Sequence, residues 1–346
     1  MTDVADREPA GRCAHHEPTD RTDLVVVVPC FGDWPTVPRL LGALDDATQA
    51  LGLRCHVLVV NDGGTPAPDG LAGQLAELPT LGCEILELRR NLGHQRAIAI
   101  GLAYAEAHLS ANHLLVMDAD GEDDPGAIAQ LYVAARERPD AIVFAHRSER
   151  SEGLTFRTGY TLFKEIFRVL SGHVISFGNY SLIPWPMLRR LTVSPEIWVH
   201  YAAGVIRAKL PYTTVPIPRA ARYAGQSNMS LAGLILHGMA AISLFADVAA
   251  VRVMLFALGT LALSGLAIGI ATALRLFTAL ATPGWATNVV IGMTILIAQV
   301  MTLALIMVFV AFQQRTTAAN ALPCEIYGKY IDRVICLQDG RAAAGD

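Results

Sequence analysis

Two carboxylates separated by one residue, Asp118 and Asp120, close the apolar run Leu114-Leu115-Val116-Met117. Hard oxygen donors so arranged can hold Mg²⁺ or Mn²⁺ and leave coordination positions for a diphosphate. A cation at that point offsets the charge that builds on a departing nucleoside diphosphate. Glu122, Asp123 and Asp124 follow at once, and such a dense run of acids makes chemical sense beside a cation. The plainer account is an acidic turn in which Asp124 caps the next helix. Three other polar clusters follow apolar runs in the same way, at residues 30–33, 61–64 and 89–95.

These clusters need rigid elements to aim them. Residues 24–29 (LVVVVP) form a continuous β-branched run, the pattern of a strand buried on both faces. A helix is expected from near Pro35, with Leu40, Leu41 and Leu44 on one face; proline suits a first turn, where its missing N–H has no partner. Further strands are expected at 55–60, 84–88, 113–117 and 140–145, and helices at 94–109 and 125–136. Strands alternating with helices imply an α/β fold with a mainly parallel sheet. Ligands of such sheets bind beyond the carboxyl ends of the strands. All four clusters fall there, which joins them into one candidate site.

With those motifs in view, the chain resembles glycosyltransferase family 2, of GT-A nucleotide-diphospho-sugar transferase fold, over residues 24 to about 312. Within it, the chain is most similar to the branch of dolichyl-phosphate mannose synthases and bacterial polyprenyl-phosphate glycosyltransferases. Pro29-Cys30-Phe31-Gly32-Asp33 stands where that family has P-x-Y-N-E, Asn61-Asp62-Gly63-Gly64 where it has D-D-G-S, and Arg90-Asn91-Leu92-Gly93 where it has R-N-x-G. Asp118-Ala119-Asp120-Gly121-Glu122-Asp123 stands for D-A-D-L-Q-D. The resemblance implies a nucleotide-sugar site of Pro29, Phe31, Asp33, Asp62, Arg90, Asn91, Gly93 and Asp118. It implies a metal held by Asp118, Asp120 and Glu122, with Glu122 in place of a glutamine. Arg147, Arg222 and Ser227 would receive the acceptor's phosphate, the last two from Arg222-Tyr223-Ala224-Gly225-Gln226-Ser227. Asp120, Arg147 and Arg222 are the expected catalytic residues. Ser181 and Asn228 depart from the family's arginine and lysine, so two cations near the acceptor are missing.

The chain has 346 residues, 53% of them hydrophobic and 17% charged, with a mean hydropathy of +0.39. That excess lies in the last third. Residues 253–274 and 288–312 are apolar runs longer than the roughly 20 residues that cross a bilayer. Arg252, Arg315, Lys329 and Arg333 flank them, and Arg275 alone marks the connecting loop, which places both termini in the cytoplasm. Residues 230–251 are expected as one amphipathic helix in the membrane interface, with a third span as the alternative, residues 24–229 as the catalytic domain and 314–346 as a cytoplasmic tail. Residues 1–23 read as a polar, disordered leader. Net charge is −4 without a basic block, so nothing suggests a nucleic-acid partner. The six cysteines show no CxxC pair and read as reduced thiols. The expected partners are a nucleotide-diphosphate sugar, a lipid phosphate and the bilayer, with a homo-oligomer left open.

The expected reaction is transfer of one sugar, with inversion, to a polyprenyl phosphate. A lipid alcohol is the alternative acceptor, with Glu196 as the base it would require. A non-catalytic membrane adaptor on the same fold is the rival from another class.

Overall fold

Buried β-branched runs make the centre of one sheet. The computed structural model describes residues 22–68, 70–75, 78, 81–147, 165–175, 177–224, 231–278, 284–318 and 322–338. Strand β1 (Thr22–Cys30) lies between parallel neighbours β2 (Cys55–Asn61) and β4 (Ala111–Val116), and β2 pairs in parallel with β3 (Leu81–Leu88). Val25 to Val28 are fully buried, as a strand covered on both faces requires. Because β1 to β4 run the same way, the loops after all four open at one edge of the sheet.

Four more strands complete it. β5 (Ile142–Arg147) and β7 (Tyr212–Ile217) are parallel to each other, and β6 (Phe177–Pro184) runs antiparallel between β4 and β5. β8 (Ile331–Gln338) is antiparallel on β3, giving the order β7-β5-β6-β4-β1-β2-β3-β8. The sheet is therefore mixed at its flanks. Helices α1 (Val37–Ala50), α2 (Leu71–Leu75), α3 (His94–His108), α4 (Ile128–Glu137), α5 (Trp185–Thr192) and α6 (Tyr201–Arg207) accompany it. Asp124 caps the turn leading into α4, accepting the Gly126 N–H at 2.9 Å.

Several expectations change. Thr22 and Asp23, expected in the leader, begin β1, where Asp23 accepts the Arg54 N–H at 3.0 Å; residues 1–21 lie outside the described residues. The expected C-terminal tail contributes β8 instead of remaining plain tail. It anchors Arg89, whose N–H donates to the Tyr330 carbonyl at 2.9 Å and whose Nε donates to that of Ile331 at 3.1 Å. Cys30, Cys55, Cys83 and Cys324 are free thiols, but Cys336 is disulfide-bonded, which corrects the reading of six reduced cysteines.

The helix expected over 230–251 is two helices. α7 (Leu231–Ser243) ends at a turn through Leu244 and Phe245, and Ala246 opens the next helix. Ile235, Leu236 and Met239 of α7 are exposed, while its His237 stacks on His200 with ring centroids 4.3 Å apart. His200 caps α6, its Nδ1 accepting the Ala203 N–H.

The chain divides into two compact units, and the second holds residues 157–174 and 245–320. In it, α8 (Ala246–Phe277) and α9 (Trp285–Ala318) pack along each other as a hairpin. At 32 residues, α8 is roughly 48 Å long, against about 30 Å for a hydrocarbon core. Phe256, Leu263, Leu266, Leu305 and Phe309 point outward, so these are not helices of a soluble core. The hydroxyls of Thr260, Thr272, Thr294 and Thr302 each donate to the carbonyl four residues back, which satisfies them within their own helix. Both helices are long and apolar enough to cross a membrane. Arg252 donates to the carbonyls of Arg168 and Val169, capping the short helix over residues 165–171.

Burial, reinforced by His237, pushes the His200 imidazole down to about 3. The folded domain therefore holds it neutral, whereas the unfolded chain protonates it below its ordinary value of 6.5. Stability falls as pH drops through that window, by about 2 kcal/mol from this residue near pH 5. His200→Asn keeps a short cap acceptor, and its melting temperature should fall less steeply than that of the wild type between about pH 7 and pH 5. Parallel curves would remove His200 from the pH response.

Candidate active site

The loops after β1, β2 and β3 enclose a cleft of about 250 Å³. Its lining includes Pro29, Phe31, Asp33, Asp62, Asn91 and Gly93, six of the eight residues expected to meet a nucleotide sugar. Cys30, His94 and Ala97 complete the wall. Arg90 and Asp118 adjoin it through the contacts below.

Asp62 shapes this cleft from within. Its carboxylate is buried and accepts the N–H of Leu92 at 2.7 Å through one oxygen and that of Gly93 at 2.8 Å through the other. Burial pushes its carboxyl up, and the two N–H donors pull it back toward ionisation. An acid expected in the nucleotide-sugar site thus clamps the Arg90–Gly93 loop. Gly63 lets the clamp close: it sits at φ +68°, and a Cβ there would lie 2.3 Å from the backbone of Arg90 and Asn91. Asn61 joins the same network, donating to Glu87 at 2.7 Å and to the Thr65 carbonyl at 3.0 Å.

The acidic turn after β4 is folded back on itself. The Asp118 N–H donates to the Asp123 carboxylate and the Glu122 N–H to that of Asp120, each at 2.9 Å. Gly121, at φ +85°, makes the bend, and the Tyr223 ring occupies the space a Cβ would need. Residues 218–223 lie along this turn. The Tyr223 N–H donates to the Asp120 carbonyl at 2.9 Å, and the Ala220 N–H to that of Glu122 at 3.0 Å. Two arginines cross from that segment. Arg222 meets the Asp120 carboxylate at 2.8 Å and Glu122 at 3.4 Å, and Arg219 pairs with Glu122. Arg39 stacks over the Tyr223 ring at 4.5 Å, and the Thr36 hydroxyl donates to the Ala119 carbonyl at 2.7 Å, which ties the turn to the loop after β1.

On the cleft side, the His94 Nε2 stands 3.2 Å from Asp118 and 3.0 Å from the Asn179 amide. Burial works against a charge on His94, but Asp118 raises its pKa above the ordinary value. Burial also raises the Asp33 carboxyl, reinforced by Asp120 and countered by Arg222. Arg219, Tyr223 and Thr36 were not among the residues expected at the site. Arg219 was visible as the first arginine of Pro218-Arg219-Ala220-Ala221-Arg222, but its partner was not. Arg147 ends β5 opposite Ile217, and its side chain lies outside the described residues, as does all of Ser227. Glu196 stands in the 3₁₀ turn Pro195–Trp198, in the acidic first-turn position that suits a helix start.

Asp118 and Asp120 offer hard carboxylate oxygens beside the cleft, and that donor chemistry fits Mg²⁺ or Mn²⁺. The Glu122 carboxylate is engaged by Arg219 and Arg222, and that of Asp120 by Arg222. Among the described residues, no three acidic, histidine or cysteine side chains converge on one metal position.

A helix-covered sheet with its cleft and acidic turn beyond the parallel strand ends defines a GT-A-like α/β domain. Residues 25–196 match the family Glycosyl transferase family 2. The chain is 25% identical over 221 residues to undecaprenyl-phosphate 4-deoxy-4-formamido-L-arabinose transferase of Erwinia tasmaniensis, covering 61% of this chain and 64% of that one. It is 28% identical over 142 residues to dodecaprenyl-phosphate galacturonate synthase of Rhizobium johnstonii, covering 41% of each. The chain spans about half the length of the curated relatives it matches. Among solved structures it is similar to mannosyl-3-phosphoglycerate synthase from Rubrobacter xylanophilus, with a TM-score of 0.45 and 18% identity over 76% of this chain and 78% of that one.

The clamp yields a prediction. Asparagine at 62 offers one acceptor oxygen to two N–H donors and turns an amide against the other. Asp62→Asn should therefore lower domain stability by about 1–3 kcal/mol, read as a reduced melting temperature in detergent. An unchanged melting temperature would mean that the clamp does not hold the loop.

Proposed function

We propose that this protein is a membrane-anchored, inverting glycosyltransferase. It moves one sugar from a nucleotide-diphosphate sugar to a polyprenyl phosphate at the cytoplasmic membrane face. The observation that carries this reading is the single cleft lined by Pro29, Phe31, Asp33, Asp62, Asn91 and Gly93, with the acidic turn at its side. The names of the relatives, one an undecaprenyl-phosphate transferase and one a dodecaprenyl-phosphate synthase, support a polyprenyl phosphate as acceptor.

The chemistry follows from the acceptor. A phosphate oxygen is already an anion and a competent nucleophile, so no strong base is needed to activate it. Asp118 and Asp120 would hold Mg²⁺ or Mn²⁺, which when bound neutralises charge on the departing diphosphate. Asp62 fixes the Arg90–Gly93 loop against the nucleotide, so positioning contributes alongside electrostatics. Arg222, with Arg147 and Ser227, receives the acceptor phosphate, to which a guanidinium presents paired donors.

The domain reading follows the same lines: a catalytic domain from residue 24, an interfacial α7 and two spans, α8 and α9. Arg252 and Arg315 flank the spans and Lys329 and Arg333 follow them, while Arg275 lies toward the connecting loop. That asymmetry favours a cytoplasmic catalytic domain and cytoplasmic termini.

The test is a transfer assay with detergent-purified protein, Mn²⁺, a panel of labelled nucleotide sugars and polyprenyl phosphate. Label from one donor should enter the organic phase only when polyprenyl phosphate is present, and Asp120→Asn should reduce it roughly a hundredfold or more. Hydrolysis of a nucleotide sugar without organic-phase label would keep the transferase and overturn the acceptor. Neither transfer nor hydrolysis across the panel would overturn the enzyme.

A further inference from the structure

Arg219 belongs to no expected site, yet it shares one carboxylate with Arg222. Glu122 receives both guanidinium groups, so two cations are held side by side at the acidic turn. Asp120 offsets Arg222 directly at 2.8 Å. Arg219 is the more open of the two, its side chain 34% exposed against 21% for Arg222. It also lines a small pocket with Gly178, Tyr180, Ala145 and Ile217, between the ends of β5 and β7 and the start of β6.

The acids at this pocket are already engaged. Asp123 accepts the Asp118 N–H, Asp124 accepts the Gly126 N–H and Glu122 holds the arginines. These contacts leave the acids charged, so an anion is drawn to this turn by the Arg219 and Arg222 guanidinium groups against that background. The expected cations at positions 181 and 228 are replaced by Ser181 and Asn228, and Ser181 spends its hydroxyl on Tyr201 and on the Asn179 carbonyl.

We propose that Arg219 is a second phosphate-binding residue of the acceptor site, and that Glu122 is the positioning residue that sets Arg219 and Arg222 as a pair for one phosphate monoester. This rests on the reading of the acceptor as a lipid phosphate. Two guanidinium forks can together satisfy more phosphate oxygens than either alone, which compensates for the cations lost at 181 and 228. A glutamine at 122 could hold neither fork by charge, so the acid at this position acquires a function.

The test is a binding experiment on the full-length protein in detergent, with farnesyl phosphate, farnesol and inorganic phosphate as probes. Melting temperature serves as the control for folding. Wild type should bind farnesyl phosphate more tightly than farnesol or inorganic phosphate. Arg219→Ala should weaken farnesyl phosphate roughly tenfold to a hundredfold and leave farnesol unchanged, with Arg219→Lys between them. Glu122→Ala removes a negative charge, so simple electrostatics would tighten phosphate binding; positioning predicts that it weakens. Equal affinity of the wild type for farnesyl phosphate and farnesol would overturn the acceptor reading and this inference with it. Wild-type preference for the phosphate that persists in Arg219→Ala would overturn this inference alone. Tighter phosphate binding in Glu122→Ala would overturn the positioning role.

Discussion

Five carboxylates within seven residues, at the end of a strand whose last three residues are fully buried, repel one another strongly, and much of this domain's local structure answers that repulsion. Asp123 turns inward to the Asp118 N–H, Asp120 to the Glu122 N–H and Asp124 to the Gly126 N–H. What backbone donors leave over is met by Arg219, Arg222 and His94. The turn is thus neutralised from two sides, by a helix start on one and by residues 218–223 on the other. Asp118 adjoins the cleft through His94, which lines it, and Asp120 lies on the side of Arg222.

The sheet makes this concentration tolerable. β1 to β4 run parallel, so the loops they feed meet at one edge and supply N–H donors from several directions. Asp62 shows the same economy after β2, where one carboxylate closes a neighbouring loop with two hydrogen bonds. β8 then covers the edge of β3 and holds Arg89, next to the loop that Asp62 clamps. The apolar hairpin of α8 and α9 forms its own unit, whose solvent is chosen by its outward leucines and phenylalanines.

The sheet centre was legible because burial on both faces writes itself as runs such as Val25 to Val28. The strand ends were legible because polar clusters follow such runs. β6 was not, since Gly178, Asn179 and Ser181 interrupt any apolar alternation, and β8 was not, since nothing in residues 331–338 says which edge it joins. The division of residues 230–251 into α7 and the start of α8 escaped notice because apolar spacing continues through the turn at Leu244 and Phe245. At the site, spacing announced the acids but not their partners. The resemblance put Glu122 among the metal ligands, and the folded chain pairs it with Arg219, 97 positions away. Long-range pairing of charges is a property of the folded sheet, and local pattern does not encode it.

The central claim is that the cleft and the acidic turn form one nucleotide-diphosphate site completed by a divalent ion. Calorimetric titration of the detergent-purified protein with UDP and GDP, with and without Mn²⁺, tests it without any assumption about sugar or acceptor. The account predicts binding of one of the two nucleotides that requires Mn²⁺ and is lost in Asp118→Asn. Binding of neither nucleotide, or binding indifferent to both the metal and Asp118, would contradict it.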